Sequence, residues 1–236
     1  MGTGNNPTPL HRGLGAHSRV ARSAAEARRM TAGQIGALLG CAISLAALAV
    51  HGIVVFPAAL VAGHGLGEAV GGYLFAFAVI THIGALLVYL SYLASEGWLR
   101  FFRVSVHRAA IAAAMLFVIL FQQITQSVGG LPGYPAPLAS LFLIIIGPIF
   151  YLGWWLAFDR NQPLLWNTVP RMLAYPVLYV LAVLVRGAIT HRYPTPLLDV
   201  MRHGYVEVIA NAVMLFILFG ALCVLVVVVD RLVPRR

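Results

Sequence analysis

The sequence predicts an all-α polytopic membrane protein, a bundle of six transmembrane helices with both termini in the cytoplasm. Three observations carry that expectation. Hydrophobic residues make up 61% of the 236 and charged residues only 10%, where a soluble domain carries about a quarter charged. Several apolar runs reach the roughly 20 residues that cross a bilayer core. The third observation is where arginine falls, because the chain has no lysine. In hydrocarbon each backbone polar group has to be satisfied internally, so such runs read as helices and not as buried strands.

The division of the chain follows. Residues 1–32 form an arginine-rich cytoplasmic tail, 33–230 the transmembrane domain and 231–236 a basic cytoplasmic C-terminus. The tail holds Arg12, Arg19, Arg22, Arg28 and Arg29 but no apolar h-region, so it is not a cleavable signal peptide. Its opening MGTGNN lacks the Ser or Thr of a myristoylation signal. Rich in Gly, Ala and Arg, it is expected to be disordered or to lie on anionic lipid. The six spans are expected at about 33–56, 72–94, 107–128, 138–157, 171–190 and 205–229.

Thirteen arginines lie in the two terminal segments and in the connections around Arg100, Arg103 and Arg108 and around Arg160 and Arg171, against Arg186, Arg192 and Arg202 on the opposite side. The positive-inside rule therefore places both ends in the cytoplasm. The net charge of +9 is mostly this topology signal. Nucleic-acid binding, which wants basic residues interleaved with aromatics on a folded surface, is not expected; membrane lipids are the expected partners.

Span one carries Gly36 and Gly40, four apart and able to admit a close neighbour. Cys41 and Cys223 stand alone in the first and last spans and read as small buried hydrophobes. The eight histidines show no metal-ligand spacing, so no metal is expected. His51 and His82 lie deep enough to suggest haem ligands, yet lone histidines in bundles usually hydrogen-bond a neighbouring helix; no cofactor is expected. Trp154 and Trp155 fall near the cytoplasmic end of span four, where interfacial aromatics belong.

The polar residues inside the spans are expected to converge on the outer half of the bundle. They are Thr81 and His82 on span two, Gln122 and Gln126 on span three, and Glu207 and Asn211 on span six. On span five Tyr175, Tyr179 and Arg186 fall within about 40° of one another at 100° per residue. Arg186 reads either as an interfacial anchor paired with Asp199 or Glu207, or as a clamp for a head group or carboxylate in a polar pocket. The external turn HRYPTPLLD follows. Pro194 and Pro196 stop the helix, Tyr193 suits the interface, and Asp199 either caps span six or meets Arg186.

The stretch RMLAYPVLYVLAVLVRGAITHRYPTPLLDV resembles bacterial Pr6Pr membrane proteins, in which a similar helix runs into an RGALTGWYPYPFLD-like turn. Those are similar to the FAR-17a and androgen-induced group, whose animal members include hydrolases of fatty acid esters of hydroxy fatty acids. The resemblance is strongest from Pro148 to Arg236, and it implies the bacterial cytoplasmic membrane. The hydrolases use an intramembrane threonine and histidine. Aligned on FAVITHIGALL, the threonine position holds Ala78, with Thr81 one turn along; aligned on Pro148, the histidine position holds Ile144. A shifted register would make Thr81 the nucleophile, with His51 on span one as its candidate base. The resemblance thus implies a non-catalytic bundle that binds lipid or serves as a subunit or scaffold of a membrane complex. The alternative is a Thr81-dependent hydrolase of lipid esters. No internal repeat favours a transporter.

Overall fold

The computed structural model describes residues 30–94, 97–127, 141–159 and 163–233, with side chains in the second stretch up to Gln122. The terminal tail, the connection after Ser127 and the side chain of Gln126 lie outside the described residues. The described chain is helical. Helix α1 is Ala32–Val61, α2 Leu66–Leu74, α3 Phe77–Leu93, α4 Ser105–Ser127, α5 Gly147–Phe158, α6 Val169–Met172, α7 Ala174–Thr190 and α8 Val200–Leu232. Four helical stretches are long and apolar enough to cross a membrane: α1, α4, α6 continuing into α7, and α8. The bent pair α2–α3 makes a fifth if counted as one.

Local chemistry explains the ends. Thr31 caps α1 through its hydroxyl, which accepts from Gln34 N–H, while the Gln34 side chain accepts from Thr31 N–H at 2.9 Å, a reciprocal capping box. Expected to stop at residue 56, this helix runs on through Pro57 to Val61. Asp199 caps α8 by accepting from the N–H groups of Met201 and Arg202. The φ of +75° at Gly204 interrupts that helix, so continuous α-helix begins at Tyr205, the expected start of span six.

Span two is corrected. Instead of running unbroken over 72–94, it bends by 65° between α2 and α3, with Ala76 extended at φ −68°, ψ 127°. The carbonyl of Phe75, released by the break, accepts from Tyr179 Oη at 3.0 Å. An apolar surrounding requires such a partner. Span four is shorter than a full crossing within the described residues, at Phe142–Phe158. It opens with a π-helical turn, Phe142–Ile146, in which Gly147 N–H reaches back to Phe142 O. Pro148 offers no N–H and its ring would crowd the carbonyl four residues back, so the wider turn relieves the ladder there.

Helix α4 is the axis. Its residues 109–114, five alanines and Ile111, are all buried, since small side chains let neighbours close in from every side. Around it pack α3, α5 and α8, with α1 lying along α3 and α5. One end of the bundle gathers most of the described arginines. There Trp154 Nε1 donates to Gly33 O at 3.0 Å, and Leu164 N–H donates to Asp230 Oδ2 at 2.9 Å. Arg231 stacks on Trp166 with its guanidinium carbon 4.6 Å from the ring centroid. The starts of α1 and α4 and the ends of α3, α5 and α8 therefore share this end. The proline turn sits at the other.

Two readings of the arginine-rich end are corrected. Trp154 and Trp155 are buried, the first tied to α1, so neither is a lipid-interface anchor. Arg108 is not a free topological charge. It is buried, ion-paired with Asp159, donates through Nε to Phe102 O at 2.9 Å, and lies under Ser91.

Candidate functional site

At the proline-turn end an apolar cavity of about 120 Å³ opens between α1, the α2–α3 break, α4, the π turn, α7, the turn itself and α8. Its wall is mostly hydrocarbon and aromatic: Phe77, Phe117, Phe121, Leu143, Ile144, Leu215, Phe216 and Phe219 among others. A single water needs only about 10–15 Å³ of such space, so the cavity has room for a chain of several carbons. Four polar side chains interrupt the wall: His51, Gln122, Tyr179 and Thr195. His51 Nδ1 and Thr195 Oγ1 are buried with no hydrogen-bond partner among the described residues. Leaving such atoms unpaired costs about 1–3 kcal/mol each.

Each of these side chains is positioned by its element. The His51 ring stacks on Tyr73, with centroids 5.7 Å apart, and Tyr73 Oη donates across to Leu48 O at 2.6 Å. Tyr179 is held by Phe75 O and packs edge-on against Phe77. Thr195 stands between Pro194 and Pro196, the second of which starts a short 3-10 turn, Pro196–Leu198. Asn211 Nδ2 donates to Leu197 O at 3.0 Å and straps that turn to α8.

Beside this cavity, and sharing Pro194 with it, lies a second, open and polar hollow of about 430 Å³. Its rim holds Arg186, Arg192, His64, His191, Glu68 and Asp199. Glu68 accepts from Arg192 at 3.2 Å and lies 3.2 Å from His64 Nδ1. Arg186 lies over the Phe75 ring, 5.0 Å from its centroid. Its guanidinium occupies space that a side chain at Gly71 would fill.

The expected polar cluster therefore divides. Gln122 and Tyr179 line the apolar cavity, where His51, not expected in that cluster, joins them, and Arg186 lines the hollow. The face shared by Tyr175, Tyr179 and Arg186 turns toward α2 and α3, where all three have their contacts. Thr81 and His82 are 0% exposed and are not part of either wall. Thr81 Oγ1 donates to Phe77 O at 2.8 Å and lies 3.0 Å from Tyr175 Oη. His82 Nδ1 bonds Ala78 O of its own helix rather than a neighbour, and its Nε2 packs against Gly147.

Arg186 pairs with neither carboxylate proposed for it. Asp199 is occupied as a cap, and Glu207, exposed, pairs with His203 at 2.9 Å. The Tyr193 ring folds back onto Gly187 of α7. Sequence reasoning missed Thr195, Tyr73, His64 and His191. The threonine between two prolines was a visible signal; the other three depend on α2 folding back toward the proline turn.

Comparison with family models, with curated proteins and with solved structures finds no match for this chain.

Proposed function

We propose that this chain is a six-span integral membrane protein of the Pr6Pr-like, FAR-17a-like class, with both ends cytoplasmic, which holds a lipid chain in the apolar cavity at its outer end without transforming it. The apolar helices support membrane embedding. The arginine asymmetry supports the orientation, since the end that gathers Arg103 and Arg231 also holds the starts and ends described above. The observation that carries the lipid reading is the cavity itself, hydrocarbon-walled with only the side chains of His51, Gln122, Tyr179 and Thr195 as polar members of its lining.

The test is lipid retention. Ala78 lines the cavity, and Ala78→Leu extends a branched side chain into it. Native mass spectrometry of the detergent-purified protein is expected to show a retained lipid adduct in wild type, and the adduct severalfold depleted in the variant. An equal adduct in both proteins would overturn the cavity as its site.

The hydrolase alternative requires a base at the Thr81 hydroxyl. The two groups that hydroxyl meets are a backbone carbonyl and a phenol, and the residue is sealed from both cavities. A fluorophosphonate probe is expected to give no labelling that Thr81→Ala removes. Thr81-dependent labelling would establish the enzyme instead.

A further inference from the structure

The polar hollow explains what the apolar cavity does not, namely which end chemistry its occupant carries. We infer that the ligand is an anionic amphiphile, its chain in the apolar cavity and its acidic head group held in the neighbouring hollow by Arg186. This rests on the reading of the cavity as a lipid site and adds the head-group class to it.

Three observations converge. First, the two spaces adjoin at Pro194, which lines both, placing a polar hollow next to an apolar one. Second, the carboxylates that could neutralise Arg186 are engaged elsewhere. Glu68 is taken by Arg192 and His64, Asp199 by the α8 N-terminus and Glu207 by His203. Among the described residues Arg186 has no ion-pair partner, only the ring of Phe75. Third, the guanidinium is placed by design of the backbone, filling the gap left by Gly71 and resting on an aromatic face. A planar fork held this way is pre-organised for bidentate contact with a carboxylate, sulfonate or phosphate.

An arginine that merely snorkelled to water would not need a glycine opposite it. A site for a neutral lipid would leave this cation uncompensated at the mouth. The acid group completes the hollow, and its charge sits at the membrane surface where an amphiphile keeps its head.

The experiment uses full-length protein in phosphatidylcholine nanodiscs, with empty nanodiscs as background. Three radiolabelled probes are compared: hexadecylsulfonate, whose charge does not titrate, hexadecanol, with the same chain and no charge, and methanesulfonate, with the head alone. Hexadecylsulfonate is expected to bind about tenfold or more tighter than hexadecanol, the ratio that one charge-assisted contact provides, and methanesulfonate not measurably. Arg186→Gln is expected to erase the preference while hexadecanol binding stays unchanged, which also shows that the variant is folded.

Equal binding of the two long-chain probes, or a preference that survives Arg186→Gln, overturns the head-group inference and leaves the lipid cavity standing. Failure of both long-chain probes to bind overturns the cavity reading itself. Tight binding of methanesulfonate alone overturns the amphiphile and assigns the hollow to a soluble anion.

Discussion

Arg108→Met lowers the apparent unfolding free energy in mild detergent by about 3–5 kcal/mol at pH 8, the usual loss when one partner of a buried ion pair is removed. Asp159 is 2% exposed and Arg108 5%, so neither has water to fall back on. Asp159 Oδ2 is already buried without a partner, and the mutation strips the other oxygen as well. The pair also locks the end of the bundle together. Arg108 reaches Phe102 O, and its own carbonyl accepts from Tyr151 Oη at 3.0 Å, joining α4, α5 and the Gly97–Arg103 3-10 helix that precedes α4. Replacing both charges, in Arg108→Met with Asp159→Leu, is expected to recover most of the loss, because the desolvation cost goes with them. A double variant as unstable as the single one would refute this.

The same pair sets a pH dependence. Burial pushes the Asp159 carboxyl up to about 7, with Arg108 pulling the other way. The folded state thus holds a proton that the unfolded chain releases near the ordinary value of 3.8. Stabilisation tied to that proton is complete below 3.8, declines through the interval and is gone above about 7. Thermal scans from pH 4 to pH 8 should show the slope in wild type and a flatter one in Asp159→Asn. The Arg108→Met deficit should stay level up to about pH 7 and grow above it, where Asp159 ionises in wild type and Arg108 stabilises the charge.

Gly40→Leu is the second large effect, expected to leave no stably folded protein in detergent, while Gly40→Ala loses about 1–3 kcal/mol to overpacking. A Cβ at Gly40 would clash with the Tyr89 ring. That ring cannot yield, being held edge-on by Tyr151 and by Trp154 at 5.6 and 4.8 Å between centroids. Tyr89→Leu should restore part of what Gly40→Ala loses, as a double-mutant cycle would show. Gly153, on α5 with open space where its Cβ would go, is the control: Gly153→Ala should be neutral or stabilising, since alanine restricts the unfolded chain. Equal losses at both glycines would mean that Tyr89 is not the cause.

The span-one glycines show where sequence pattern stops. Their spacing signals that something comes close, and it does, but the visitors are rings. Tyr92 fills the space over Gly33, Trp154 over Gly36 and Tyr89 over Gly40. Nothing in residues 33–40 names α3 and α5 as the source of those rings. Likewise the spacing of Tyr175, Tyr179 and Arg186 was legible as one face, whereas their partners Thr81, Phe75 O and the Phe75 ring were not.

By itself the sequence determined the helical class, the apolar runs, the start of continuous helix at Tyr205 and the shared face of α7, because length, composition and a 3.6-residue period are local properties. Only the tertiary structure decided the bend at Phe75–Ala76, the burial of Trp154 and Arg108, and the separation of Thr81 and His82 from the cavity. Each of these turns on a partner far along the chain: Tyr179 for the Phe75 carbonyl, Gly33 for Trp154, Asp159 for Arg108, Tyr175 for Thr81. A buried polar group must be satisfied by whichever neighbour the packing delivers, and periodicity along one helix does not say which neighbour that is.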